Sequence, residues 1–228
     1  MRIAVLVAVA ALLAGCSSAP DSQPSSSALT PSSSTAASTT SKAPTSSRAS
    51  APGTPPAAGT AITDVIAWIE AGKPADAAKY HSVTLDGVST PLEDGVAFTT
   101  AGTEANCVTN KYQDGELACL VKLTNPPPRP PDFPTAWKNN WVDFYGTSVD
   151  VGSPHGDPGP FAEGTGEELP AGESLAFGDY RCRADAAGLF CVDYAHQTGV
   201  KLAPAGVEGF GCLQKTAPPP EIGLRLSC

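Results

Sequence analysis

Seven cysteines and three histidines are the side chains of this 228-residue chain most able to do chemistry. Their spacing weighs against several reactions. No paired C-x-x-C occurs, so a structural zinc site lacks its usual ligand spacing. His81, His155 and His196 are scattered, with no H-E-x-x-H and no phosphate-binding glycine motif around them. The closest approach to a G-x-S-x-G elbow is Gly172-Glu173-Ser174-Leu175-Ala176. It ends in alanine and leads into a strand pattern instead of lying between strand and helix. Ser153, His155 and Asp157 alternate within a Gly/Pro-rich stretch, and proximity in sequence alone is not triad geometry. The expectation is therefore no catalytic residue, no metal and no cofactor. A cell-envelope hydrolase assembled from distant Ser, His and Asp positions is the alternative.

The one residue whose neighbours assign it a reaction is Cys16. Met1-Arg2 precedes the apolar run Ile3 to Leu13, and Leu13-Ala14-Gly15-Cys16 closes it. The run is shorter than the ~20 residues that span a bilayer as a helix and matches the charged and hydrophobic regions of an export signal. The last four residues fit a bacterial lipobox, in which the cysteine sulfur is alkylated by diacylglycerol and the preceding peptide is removed. Residues 1–15 are thus expected to be a lipoprotein signal peptide and Cys16 the lipidation site. Each buried lipid CH₂ contributes ~0.8 kcal/mol, so two chains anchor stably where one does not.

Residues 16–60 are expected to be the lipidated cysteine and a tether. Of the 44 residues 17–60, 37 are Ser, Thr, Pro or Ala, and Leu29 is the only large apolar side chain. Such a segment buries too little surface to offset its ordering entropy. Ser/Thr with Pro is also the composition of O-glycosylated stalks. The remaining 168 residues, 61–228, have the size of one domain. They hold 11 Lys/Arg and 22 Asp/Glu, a net charge of 11 − 22 = −11. That balance argues against nucleic acid and anionic head groups as partners.

With Cys16 set aside, Cys107, Cys119, Cys182, Cys191, Cys212 and Cys228 remain. An even number in an exported chain favours three disulfides, for which 15 connectivities exist. Cys107 and Cys119 flank Gln113-Asp114-Gly115, and Cys182 and Cys191 flank Asp185-Ala186-Ala187-Gly188. Both are hairpin-turn signals. Directly opposed residues of a hairpin lie within disulfide reach. The expected pairs are 107–119 and 182–191, with 212–228 by elimination.

The elements around these residues read as mainly β. Thr63-Asp64 followed by Val65, Ile66, Trp68 and Ile69 predicts one short capped helix, stopped by Gly72 and Pro74 and laid on a sheet. Strands are expected at Val96–Thr100, Cys107–Thr109, Leu117–Leu123, Trp141–Tyr145 and Thr147–Val151, the last two hinged at Gly146. Leu175–Cys182 should enter a second hairpin and Leu189–Tyr194 leave it. Val96-Ala97-Phe98 before the first cysteine pair echoes Leu175-Ala176-Phe177 before the second. Pro126 to Pro134, six prolines in nine residues, must be extended. It reads as a stiff connector, or as a proline-rich ligand. Trp137, Trp141, Phe144 and Tyr145 fill a core or form a sugar-stacking surface, with the core favoured. The long loop Gly152 to Gly172 carries His155, Asp157, Glu163, Glu167 and Glu168, side chains of the kind that hold a hard cation, although the EF-hand spacing is absent. A solvated loop is the simpler reading.

Val65-Ile66-Ala67-Trp68-Ile69-Glu70-Ala71-Gly72, Asn125-Pro126-Pro127-Pro128, His155-Gly156-Asp157-Pro158-Gly159-Pro160-Phe161 and Phe177-Gly178-Asp179-Tyr180-Arg181-Cys182 together resemble the LppI family of mycobacterial lipoproteins. The resemblance implies an exported, membrane-anchored actinobacterial protein, consistent with a composition rich in Ala, Pro, Gly and Val. It implies no activity and no functional residues. The sequence thus predicts a compact antiparallel sandwich or barrel-like domain with one N-terminal helix and three disulfides. It is held to the outer face of the cell membrane by lipid on Cys16. An envelope protein, a glycan or a small ligand is the expected partner.

Overall fold

A computed structural model describes residues 53–109, 115–131, 133, 136–155 and 158–228. The signal peptide, Cys16 and most of the tether lie outside the described residues, as do Gln113, Asp114 and Asp157. Among the described residues the fold is mainly β, with one α-helix. Helix α1 spans Ile62–Glu70. The strands before the first disulfide are β1 (Lys73–Pro74), β2 (Ser82–Leu85), β3 (Val88–Pro91) and β4 (Ala97–Thr100). Next come β5 (Ala105–Thr109), β6 (Leu117–Val121), β7 (Lys138–Phe144), β8 (Ser148–Ser153) and β9 (Glu167–Glu168). A second run holds β10 (Glu173–Phe177), β11 (Tyr180–Asp185), β12 (Gly188–Asp193), β13 (Thr198–Ala203) and β14 (Gly206–Phe210). Strands β15 (Gln214–Thr216) and β16 (Leu224–Ser227) close the chain.

These strands form two antiparallel meanders in two open sheets. The first, β4 to β8, is extended by β16 and β15 beyond β8; the second runs from β10 to β14. Strands β2 and β3 make a separate hairpin. The edges are exchanged between the sheets. Strand β1, which precedes the first meander, pairs parallel with β10 of the second. Strand β9, which precedes the second meander, pairs parallel with β4 of the first. Neither sheet closes into a barrel.

Strand alternation puts one face of each sheet into a shared core. One row across the first sheet reads Phe98, Cys107, Cys119, Val142, Val151. The matching row of the second reads Leu175, Cys182, Cys191, Val200. All nine belong to one buried cluster, and large apolar side chains in such positions contribute ~1.5–3 kcal/mol each. Disulfides join Cys107 to Cys119 and Cys182 to Cys191, with Cα atoms 4.1 and 4.0 Å apart, and Cys212 to Cys228. All three expected pairs are present. The echo between the two cysteine hairpins is structural too. In each meander the second and third strands carry the bond, and a large apolar residue of the first strand faces the first cysteine.

The outer faces are covered differently. Helix α1 packs Val65, Trp68 and Ile69 against Phe190, Val192 and Phe210 of the second sheet. Trp68 is core, with the Arg183 guanidinium 3.9 Å above its ring. The helix begins one residue before Thr63 and has no side-chain cap: Ala61 stands at the N-cap. On the first sheet, Val83, Ala97 and Val108 form a smaller cluster with Leu92 and Phe161 packed on it. The stretch from Gly152 to Gly172, expected as a loop, holds the end of β8, a 3₁₀ turn at Gly159–Glu163 and β9. At the other boundary, Pro56 of the expected tether is buried.

Candidate functional site

Five turns meet at one end of the two sheets and enclose a groove of about 600 Å³, within the usual range for ligand sites. The β10–β11 turn is Gly178-Asp179. Gly178 has φ +49, a conformation that favours glycine at the first position of a two-residue hairpin turn. The turn sets Phe177 opposite Tyr180, with their rings stacked at 5.8 Å and Asp179 exposed between them. The chain before β4 adds Glu93 and Asp94, on a turn closed by the Gly95 amide donating to Leu92 O at 2.8 Å. Gly115 and Glu116 enter from the start of β6 and Tyr145 from the β7–β8 turn.

The floor is the contact between the β7–β8 and β12–β13 turns. Thr198 Oγ1 donates to Gly146 O at 2.6 Å. Gly146 has φ +79, and a Cβ there would sit 2.4 Å from both Asp193 Oδ2 and His196 Nδ1. Only glycine allows the two turns this close. Asp193, 3 % exposed, accepts the His196 backbone N–H at 2.9 Å and lies 3.2 Å from His196 Nδ1. The Tyr180 hydroxyl bridges the sheets, 2.6 Å from Gly115 O and 3.0 Å from Phe144 O.

The electrostatics of the groove follow from its composition. Its described lining includes the carboxylates of Glu93, Asp94, Glu116, Asp179 and Asp193 and no Lys or Arg. Burial, and then the charge of Asp193, hold the Tyr180 phenol well above the ordinary tyrosine range. Tyr145 is raised by burial and then by Asp143 and Glu116. In both cases the phenolate would be desolvated beside existing negative charge.

The residues singled out in the sequence are dispersed. The six cysteines are structural. His81 Nδ1 is 2.8 Å from Gly95 O, a backbone contact behind the groove. His155 stacks on Trp141 at 3.6 Å on the outer face of the first sheet, where its Nε2 is 3.8 Å from Asp143 Oδ2. Ser153 is buried and its Oγ has no hydrogen-bond partner. Ser174 donates to Gly72 O from within β10. Of the three histidines, only His196 lines the groove.

The aromatic cluster divides as well. Phe144 fills the shared core, Trp141 is buried under His155 and Phe161, and Trp137 donates to Glu221 O. Tyr145 alone of the four reaches the groove, so these rings form no common sugar platform. Among the described residues, no three His, Cys, Asp or Glu side chains converge as metal ligands, and no helix is long and apolar enough to cross a membrane.

Sequence reasoning missed the groove itself. The available signal was the recurrence of acidic residues at turns beside aromatics: Glu93-Asp94, Phe177-Gly178-Asp179-Tyr180 and Asp193-Tyr194. Comparison of the chain with models of known protein families, with curated proteins and with solved structures finds no match in any of the three.

Proposed function

We propose that the chain is an exported lipoprotein, anchored by diacylglycerol on Cys16, whose folded domain is a non-catalytic binding module of the cell envelope. The observation that carries the binding role is the groove, a concave and strongly acidic site with aromatic side chains in its walls. Three disulfides among the described residues accord with an oxidising, extracytoplasmic location. The resemblance to the LppI family of lipoproteins and the lipobox support the anchor.

The anchor is tested by fractionation. Cys16→Ala should move the protein from the membrane pellet to the soluble or secreted fraction; persistence in the pellet sinks it. The groove is tested by capture of partners from intact cells with the anchor in place. Asp179→Asn, an exposed turn position, should reduce what is captured, whereas Asp86→Asn on the distant β2–β3 turn should not.

A second reading, an envelope hydrolase, is favoured by one observation. Asp193 orients His196 through Nδ1 at 3.2 Å, the arrangement that readies the other ring nitrogen as a base. A His196→Gln chain that keeps partner capture argues for binding alone. Loss of an envelope-hydrolysing activity in that variant would establish the enzyme.

A further inference from the structure

We infer that the groove takes a cationic peptide segment, rich in lysine or arginine, from a partner protein of the envelope. The inference rests on the groove being the binding face and adds the chemistry of what enters it.

The charge is arranged for such a ligand. Asp193 lies in the floor, where it accepts the His196 backbone N–H and stands 3.2 Å from His196 Nδ1, with no Lys or Arg in the described lining. Glu93, Asp94 and Asp179 stand exposed around the rim. A buried carboxylate is screened far less by salt than a surface one, and low-dielectric walls focus its field toward the opening. An ammonium or guanidinium at the rim would supply the permanent positive charge that the described lining, without Lys or Arg, does not contain. The surrounding domain, at −11, would steer it there.

The walls suit the rest of such a side chain. Phe177, partly buried at the edge of the groove, offers a ring to a cation and apolar surface to its methylenes. A glycan fits less well. Neutral hydroxyls need donors and acceptors in comparable number, and the described lining has five carboxylates but no Asn, Gln, Arg or Lys. A neutral polyol would also bring no countercharge to Glu93, Asp94 and Asp179 at the rim.

The test is calorimetric titration of the mature lipidated chain in detergent micelles with acetyl-tetralysine amide, and in parallel with triacetylchitotriose. Tetralysine should bind, more weakly as salt rises. Each exposed ion pair is worth a factor of ~1.5–5, so Glu93→Gln/Asp94→Asn/Asp179→Asn should weaken binding between about threefold and a hundredfold. A chain with the same charge change away from the groove, Asp64→Asn/Asp86→Asn/Glu104→Gln, should stay within about twofold of the unaltered protein. Equal weakening in both triple variants overturns the inference, because diffuse surface charge then explains the binding. Binding of chitotriose with tetralysine silent overturns the peptide class and leaves the groove as the binding face. If neither probe binds, the peptide class falls, and partner capture with the groove triple variant decides the groove: unchanged capture removes it as well.

Discussion

Tyr180 concentrates several demands in one hydroxyl. Its ring packs edge-on to Phe144 in the core and stacks on Phe177 at the groove. Its oxygen ties the second sheet to backbone carbonyls of the first. Because burial and Asp193 raise its folded pKa above the ordinary value of 10.0, the sign of its pH effect is fixed. Below pH ~10 the phenol is protonated folded or unfolded, and its contribution to stability is complete. Above that, the unfolded chain loses the proton while the folded chain keeps it, so stability falls as pH rises. Denaturant midpoints measured from neutral pH to pH ~11 should be flat and then decline. Tyr180→Phe should cost about 1–2 kcal/mol at neutral pH through lost hydrogen bonding to the Phe144 and Gly115 carbonyls, and should make the alkaline decline shallower without abolishing it, because Tyr80, Tyr145 and Tyr194 are raised as well. An unchanged decline would show that Tyr180 does not titrate in the way its surroundings demand.

At the scale of elements, the hairpin is the unit that the sequence declares and the fold uses. The two cysteine hairpins were legible because their information is local: a turn signal, β-branched and apolar flanks, and cysteines set back from the turn on both sides. Other elements were not. Leu175 to Cys182 reads as one run, yet Gly178-Asp179 breaks it into two strands, and that break builds one wall of the groove. Strands β1 and β9 are Lys-Pro and Glu-Glu, pairs with no strand propensity, placed by distant partners. The groove was invisible for the same reason, since its residues come from five turns brought together only by the packing of two sheets. The disulfides differ in their surroundings, and this sets the order of their reduction. Cys107, Cys119, Cys182 and Cys191 are at most 1 % exposed, while Cys212 and Cys228 are exposed. Attack on a disulfide needs access, and buried bonds open only when the sheets part. Mild thiol reduction under native conditions, followed by alkylation and mass mapping, should label Cys212 and Cys228 first. Early label on either core pair would contradict the packing.

At the scale of the whole molecule, the two meanders are neither independent domains nor a simple tandem. Each sheet borrows its parallel edge strand from the segment that precedes the other meander. Their inner faces share one cluster, from Phe98 and Val142 on one side to Leu175 and Val200 on the other. Removing either meander would expose the full apolar face of its partner and strip a strand from its edge. The two sheets should therefore unfold together. The tryptophans report on them separately, because Trp68 covers the second sheet and Trp141 belongs to β7 of the first. In chains that keep only Trp68 or only Trp141, with phenylalanine at the other positions, the fluorescence transition in denaturant should coincide with the loss of far-ultraviolet dichroism. Coincidence in both chains is what a single cooperative unit requires. A Trp141 transition that precedes the dichroism, with Trp68 unaffected, would mean that the first sheet melts alone and that the exchanged edges do not couple the halves.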